Sequence, residues 1–267
     1  VVLETASQRT VVNDPKSLGG LTTESTSPAW AMPSDNSAGL DDMLESITIW
    51  AHSIYGVENL VSARELFHFE TGKVFPDDFM HQARTAYFFD CFLFERPIRP
   101  ERITDGNLLA VTPFEVFCSS VKSSKNMSKD LLDRFIELGD FRHSVYLVER
   151  VSIQSLVVQD LISGEFLTIS AKPGETFRAI KRLQLIQGFL YRIGDTYQLS
   201  PGLILHPNGA TKILRATIRL VKKHVRFSRT TFLVKAARVN MRYLRLQHVS
   251  PKITYKTEFE PYLSTFA

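Results

Sequence analysis

The spacing of apolar positions changes twice along the chain. From Ser144 to Pro207 the apolar content is β-branched and aromatic and comes in short runs. Val145, Leu147, Leu156, Val158, Phe166, Leu167, Ile169, Phe177, Ile180, Leu183, Leu185, Phe189, Tyr191, Ile193, Tyr197 and Leu199 supply it, and these are the residue types that strands favour. Turn signals interrupt the stretch at Ser163-Gly164, Lys172-Pro173-Gly174 and Gly194-Asp195. About five or six short strands in roughly 60 residues predict a small antiparallel sheet or barrel.

On both sides of this stretch the period is helical. Leu40, Met43, Leu44, Ile47, Ala51, Ile54 and Tyr55 recur at three- and four-residue spacing and stop at Gly56. A second helix is expected from about Glu58 to Thr71. A third is expected from Asp77-Asp78 to about Glu95, with phenylalanines around most of its circumference and Pro97 ending it. Thr112-Pro113-Phe114-Glu115 is a capping box with proline in the first helical position. Ser128 caps a further helix that ends at Gly139. Beyond His206-Pro207 two more helices are predicted, one through Val221 and Arg226 and one from about Thr230 to His248, stopped by Pro251.

These elements predict an α+β chain: a Ser/Thr/Pro-rich disordered tail at 1–39, a helical bundle at 40–139, a small antiparallel β module at 140–207 on which the bundle packs, two basic helices at 208–250, and a frayed C-terminal tail at 251–267. Ser62 to Val74 (Ser-Ala-Arg-Glu-Leu-Phe-His-Phe-Glu-Thr-Gly-Lys-Val), together with Phe88 to Pro97, resembles an uncharacterised bacterial family. Its members share a helical front, a β module ending in a His-Pro pair, and a basic helix behind. The resemblance spans roughly 40–250 and implies this layout but no activity.

The composition, 44% hydrophobic and 22% charged over 267 residues, is enough to bury a core. No run of roughly 18 apolar residues exists, so no membrane span is expected. No signal peptide is visible at the start. Cys91 and Cys118 make no disulfide framework, which points to a reducing cytoplasm.

Charge changes the picture more. Thr196 to Thr257 contains 13 basic residues and no Asp or Glu, whereas residues 1–195 hold 19 basic against 26 acidic residues. Arg215, Arg219, Lys222 and Arg226, with Lys223 beside them, form one stripe; Lys235, Arg238, Arg242 and Arg245 form another. Two readings stand. The stripes track the phosphates of a nucleic acid or other polyanion, or they pack back on the acidic front half.

Enzyme chemistry is sparse. There is no nucleophile elbow, Walker loop, dinucleotide fingerprint or H-E-x-x-H motif. Glu65-x-x-His68 and Asp78-x-x-His81 each place a carboxylate and an imidazole on one helix face, like half of a di-iron bundle. The further carboxylates that such a site needs have no signature spacing, so no metal and no cofactor are expected. Cys118 reads as core filler. Arg178-x-x-x-Arg182 has a diphosphate spacing found in cyclic-dinucleotide sensors of the PilZ type. There the arginines precede the barrel; here they follow the Asp160 to Gly164 stretch, which is itself wrongly spaced. The chain therefore reads as a non-enzymatic binding or regulatory protein with a polyanion as the first ligand. A metal-dependent enzyme using His68 and His81 is the alternative, and a protein-interaction adaptor working through the tail is a third.

Overall fold

The computed structural model describes residues 38–97, 111–123, 127–246 and 248–266. The tail expected at 1–39 lies outside them, apart from Ala38 and Gly39. Helices Leu40–Thr71 (α1), His81–Phe94 (α2), Pro113–Lys122 (α3) and Lys129–Glu137 (α4) make the front. Gly56 leaves helical geometry at φ 72° and ψ 163°, a left-handed value open to glycine. The expected stop is therefore real, and a second helical segment resumes directly after it. The Thr112/Glu115 capping box forms in both directions, and the Ser128 hydroxyl accepts from Leu131 N–H. α2 starts later than its acidic pair suggested. Asp78 instead closes the preceding turn, its carboxylate accepting from Phe75 N–H at 2.8 Å.

The β module has six strands: Phe141–Val151 (β1), Ser155–Asp160 (β2), Phe166–Ser170 (β3), Leu185–Ile193 (β4), Thr196–Leu199 (β5) and Ile204–His206 (β6). β1 pairs with β2 on one edge and with β4 on the other, β2 pairs with β3, and β4 with β5, all antiparallel. A parallel contact, Ile169 opposite Tyr197, closes the ring into a five-stranded barrel. β6 extends the β5 edge of β4. Side chains alternate across each strand. Tyr146, Val148, Leu156, Val158, Ile169, Ile186 and Leu190 fill the interior, while Val145, Leu147, Leu185, Phe189 and Tyr191 face outward under the helices.

Three helices follow: Thr211–Val221 (α5), Arg229–Arg245 (α6) and Pro251–Ser264 (α7). The frayed end expected at 251–267 is instead a helix as far as Ser264. Pro251 sits in the first turn, where its missing N–H costs nothing. Tyr255 and Phe259, four residues apart, are fully buried and bring that face against Phe232.

α2 is held against the barrel by Phe94, which packs on Phe141 and Tyr191, and by polar contacts. The loop after β5 comes so close that a Cβ on Gly202 would lie 2.6 Å from Tyr87 N. Next to it, Asp90 accepts from Tyr191 Oη at 2.8 Å and from the Ser200 hydroxyl. A chain of buried side chains then crosses the molecule. Arg84 Nη2 donates to Asn240 Oδ1 at 2.7 Å, and Asn240 Nδ2 donates to Tyr255 Oη at 3.2 Å. Tyr255 Oη meets His206 Nδ1 at 2.8 Å, and His206 Nε2 meets Gln187 Oε1 at 3.1 Å. Gln187 Nε2 donates to Tyr87 Oη at 2.7 Å and to the Leu233 carbonyl at 2.9 Å. Tyr87 Oη meets His143 Nε2 at 2.8 Å.

Two predictions follow from these groups. Gln187→Met would leave the His206 N–H buried without a partner and take a donor from Tyr87 Oη and from the Leu233 carbonyl. Urea unfolding should register a loss of at least about 2 kcal/mol, and an unchanged midpoint would refute the chain's structural role. Burial pushes the Asp90 carboxyl up to about 7, against the hydrogen bonds from Ser200 and Tyr191. Between the unfolded value near 4 and that point the folded state holds a proton that the unfolded state has released, so this group lowers stability as pH rises through the window. Asp90→Asn should therefore gain on the wild type by on the order of 4 kcal/mol between pH ~4 and ~7. A stability difference that stays flat with pH would contradict this.

Candidate functional site

The structure divides the nine basic residues into two groups. α5 buries Leu214, Thr217, Ile218 and Val221 and turns Arg215 and Arg219 outward. The helix ends at Val221, so Lys222, Lys223 and Arg226 stand on the following turn and not on a continued helical stripe. All three are exposed. Among the described residues, no carboxylate lies within ion-pair distance of any of these five cations.

The second group is matched except for Arg238, which is exposed and has no ion pair among the described residues. Arg242 Nη1 lies 2.7 Å and Lys235 Nζ 3.8 Å from Glu258 of α7. Arg245 grips Asp78 with both terminal nitrogens, at 2.7 and 2.5 Å, and also lies over the Phe75 ring. Arg229, at the start of the same helix, approaches Glu95 at 3.6 Å. Packing on the acidic front half thus describes the ends of α6, through Glu95 and Asp78, while Lys235 and Arg242 meet Glu258 of the unforeseen helix. It does not describe α5.

Two of the free group, Arg215 and Arg219, border the end of β2. A cleft of about 180 Å³ is lined by Gln159, Asp160, Leu161, Gly164, Arg215, Ile218 and Arg219. The Asp160 carboxylate is occupied within the fold, accepting from Ser144 Oγ at 2.5 Å and from Ile162 N–H at 2.7 Å. Gln159 pairs with Phe166, and Val157 with Thr168. Paired residues share a face, so Phe166 lies outward beside the cleft, 64% exposed. The two tyrosines of β4 and β5 offer no exposed ring. Tyr191 is fully buried on Asp90, and Tyr197 belongs to the barrel interior.

The carboxylate–histidine pairs do not converge. Glu65 is exposed, and Asp78 is held by Arg245. Burial and the nearby Arg64, Lys73 and His81 hold the His68 imidazole below its ordinary value, an environment hostile to a cation. Among the described residues, one group of three metal-type ligands does gather, and it is a different one: Cys91, Glu95 and His143, whose ligand atoms all lie within 4.8 Å of one another. They sit in the wall of a cavity of about 680 Å³ between α1, α2, α6 and α7. The Cys91-x-x-x-Glu95 spacing on a helix was visible in the sequence. His143 was not, because it is brought there by the register of β1 with β4.

Reversing charge on the free group tests the division. Arg219→Glu with Lys222→Glu should change stability by no more than about 0.5 kcal/mol. Arg242→Glu, placed against Glu258, should lower the melting temperature clearly. Similar losses from both would mean that the α5 cations have partners in the fold. No family model matches the chain, and neither a curated protein nor a solved structure does. Among the described residues, no helix is long and apolar enough to cross a membrane.

Proposed function

We propose that this is a non-enzymatic binding or regulatory protein whose ligand is single-stranded nucleic acid or a similar polyanion, held along the outer face of β2 and β3 and the end of α5. The observation that carries this reading is the set of five cations without carboxylate partners, next to the exposed ring of Phe166. Solvated cations that no fold contact uses are suited to phosphates. An exposed ring beside them is suited to a base, which stacks without regard to sequence.

The architecture supports the same reading by analogy. The closing order β1-β2-β3-β5-β4-β1 is that of OB-type barrels, which bind oligonucleotides and oligosaccharides on the strand 2–3 face. Fold alone does not carry function, so the weight rests on the side chains. Both cysteines are free thiols, in keeping with a reducing, cytoplasmic setting as part of the proposal.

Binding of labelled oligo-dT and of a mixed-sequence single-stranded RNA, followed by anisotropy over a salt series, provides the test. Affinity should fall linearly with log salt, and each phosphate contact removed should shallow the slope by about 0.7. Arg219→Glu with Lys222→Glu should abolish binding. Phe166→Ala should weaken it by about 1–3 kcal/mol with the slope unchanged. No binding of either probe by the wild type at low salt would sink the proposal.

A further inference from the structure

Cys91 and Glu95 lie one helical turn apart on α2, and His143 faces them from β1. Their side chains are almost withdrawn from water: His143 is 1% and Glu95 9% exposed, and Cys91 is buried as well. Groups of this kind are normally hydrogen-bonded, and two of their buried polar atoms are not. His143 Nδ1 is 2.9 Å from Glu95 Oε2 but out of line for a hydrogen bond, so Nδ1 and Glu95 Oε1 have no hydrogen-bond partner.

The other side of the imidazole faces the Tyr87 hydroxyl. Gln187 Nε2 donates to Tyr87 Oη, and the Tyr87 hydroxyl stands near the Cys91 sulfur, where it favours the thiolate. If the Tyr87 proton points at the sulfur, Tyr87 Oη accepts from both Gln187 and His143 Nε2–H. That leaves Nδ1 with a bare lone pair facing a carboxylate oxygen and, beside it, a sulfur. Three electron-pair donors then converge on one point with nothing between them.

We propose that Cys91 Sγ, the Glu95 carboxylate and His143 Nδ1 bind one divalent transition-metal ion of the zinc class. Thiolate, imidazole and carboxylate are the donors that zinc takes. Its bond lengths place tetrahedral ligand atoms roughly 3.5 Å apart, so donors within 4.8 Å of one another need to close by about 1 Å. Tyr87 supplies the outer hydrogen bond that fixes the orientation of a metal-binding histidine. Burial, and then the charges of Glu95 and Asp90, push the free Cys91 thiol well up, and metal capture would release its proton. Three protein ligands leave a fourth position, and it opens on the cavity. That is the arrangement of a zinc that exchanges ligands and not of a closed structural one. The site is separate from the β2–β3 face and does not depend on nucleic-acid binding.

The test uses the full chain, stripped with a chelator, equilibrated with Zn²⁺ and desalted before elemental analysis. One equivalent per chain is expected. Cys91→Ser and Glu95→Gln should each weaken retention by at least about tenfold, and His68→Ala should leave it unchanged. Co²⁺ in place of zinc should give a thiolate-to-metal charge-transfer band that Cys91→Ser abolishes. Zn²⁺ should also raise the melting temperature of the wild type more than that of Glu95→Gln, which keeps the test informative should Cys91→Ser fold poorly. His143 is left intact because it also serves the buried chain. Well under one equivalent in folded wild type, or equal retention by Glu95→Gln and wild type, would overturn the site.

Discussion

The buried hydrogen-bonded chain from Arg84 to His143 is the constraint on which the arrangement of layers depends. It draws on α2, α6, α7, β1, β4 and β6, and each link restricts its neighbours. Gln187 Oε1 can only accept, so His206 donates from Nε2 and Tyr255 donates to His206 Nδ1. Burial and the nearby Arg84 hold the His206 imidazole down at about 3, in keeping with that neutral form. Apolar packing brings helices against a barrel with some latitude in rotation and slide. A polar chain whose donors and acceptors must all match removes that latitude, because a shift of about an ångström leaves a buried group unpaired. Arg84 is the extreme case. Its guanidinium has no carboxylate partner among the described residues: Nη2 donates to the Ala237 carbonyl and to Asn240, Nη1 is buried without a hydrogen bond, and desolvation lowers the group to about 10.

Electrostatics divides the surface along lines that follow from the same docking. α6 must lie on α1 and α7 to bring Asn240 and Leu233 into the chain, and its basic side chains then meet Asp78 and Glu258. α5 packs on the barrel by Leu214 and Ile218, and among the described residues its arginines have no carboxylate within ion-pair distance. The excess of acid in the first 195 residues therefore neutralises one basic helix at its edges and leaves the other to solvent. The overall charge did not distinguish these outcomes, since it carries no information about which helix faces which wall.

What could be read from the sequence was local. The Gly56 break, the Thr112/Glu115 capping box, the Ser128 cap and the strand-rich stretch each rest on a few adjacent residues and are found in the fold. What could not be read depended on register or docking. The parallel closure of β3 on β5 joins Ile169 to Tyr197, and nothing near either residue signals it. α7 was missed because Pro251 was taken only as a stop, although Tyr255, Phe259 and Tyr262 already had helical spacing. The subtlest miss was on α2. Phe88, Phe89, Phe92 and Phe94 read as a helix apolar nearly all round. Arg84, Tyr87, Cys91 and Glu95, at spacings of three, four and four, form a polar stripe within it. The structure turns that stripe inward, toward β1, β4 and α6.

An inward polar stripe is unfavourable unless each member is met, and the manner in which they are met differs along α2. At the Arg84 end the partners are close and fixed, and a side-chain amide and a carbonyl seal the guanidinium from solvent. In the middle, Tyr87 is matched from three sides. At the Glu95 end the stripe runs out into a cavity, where a thiol, a carboxylate oxygen and an imidazole nitrogen face one another without completing a hydrogen bond. Unmet bonding capacity stands at both ends of the stripe, on Arg84 Nη1 at one and on Glu95 and His143 at the other, and the Glu95 end is the one that lines the large cavity. Chemistry beyond folding is expected there, because a ligand at that point would complete contacts that the chain itself does not make.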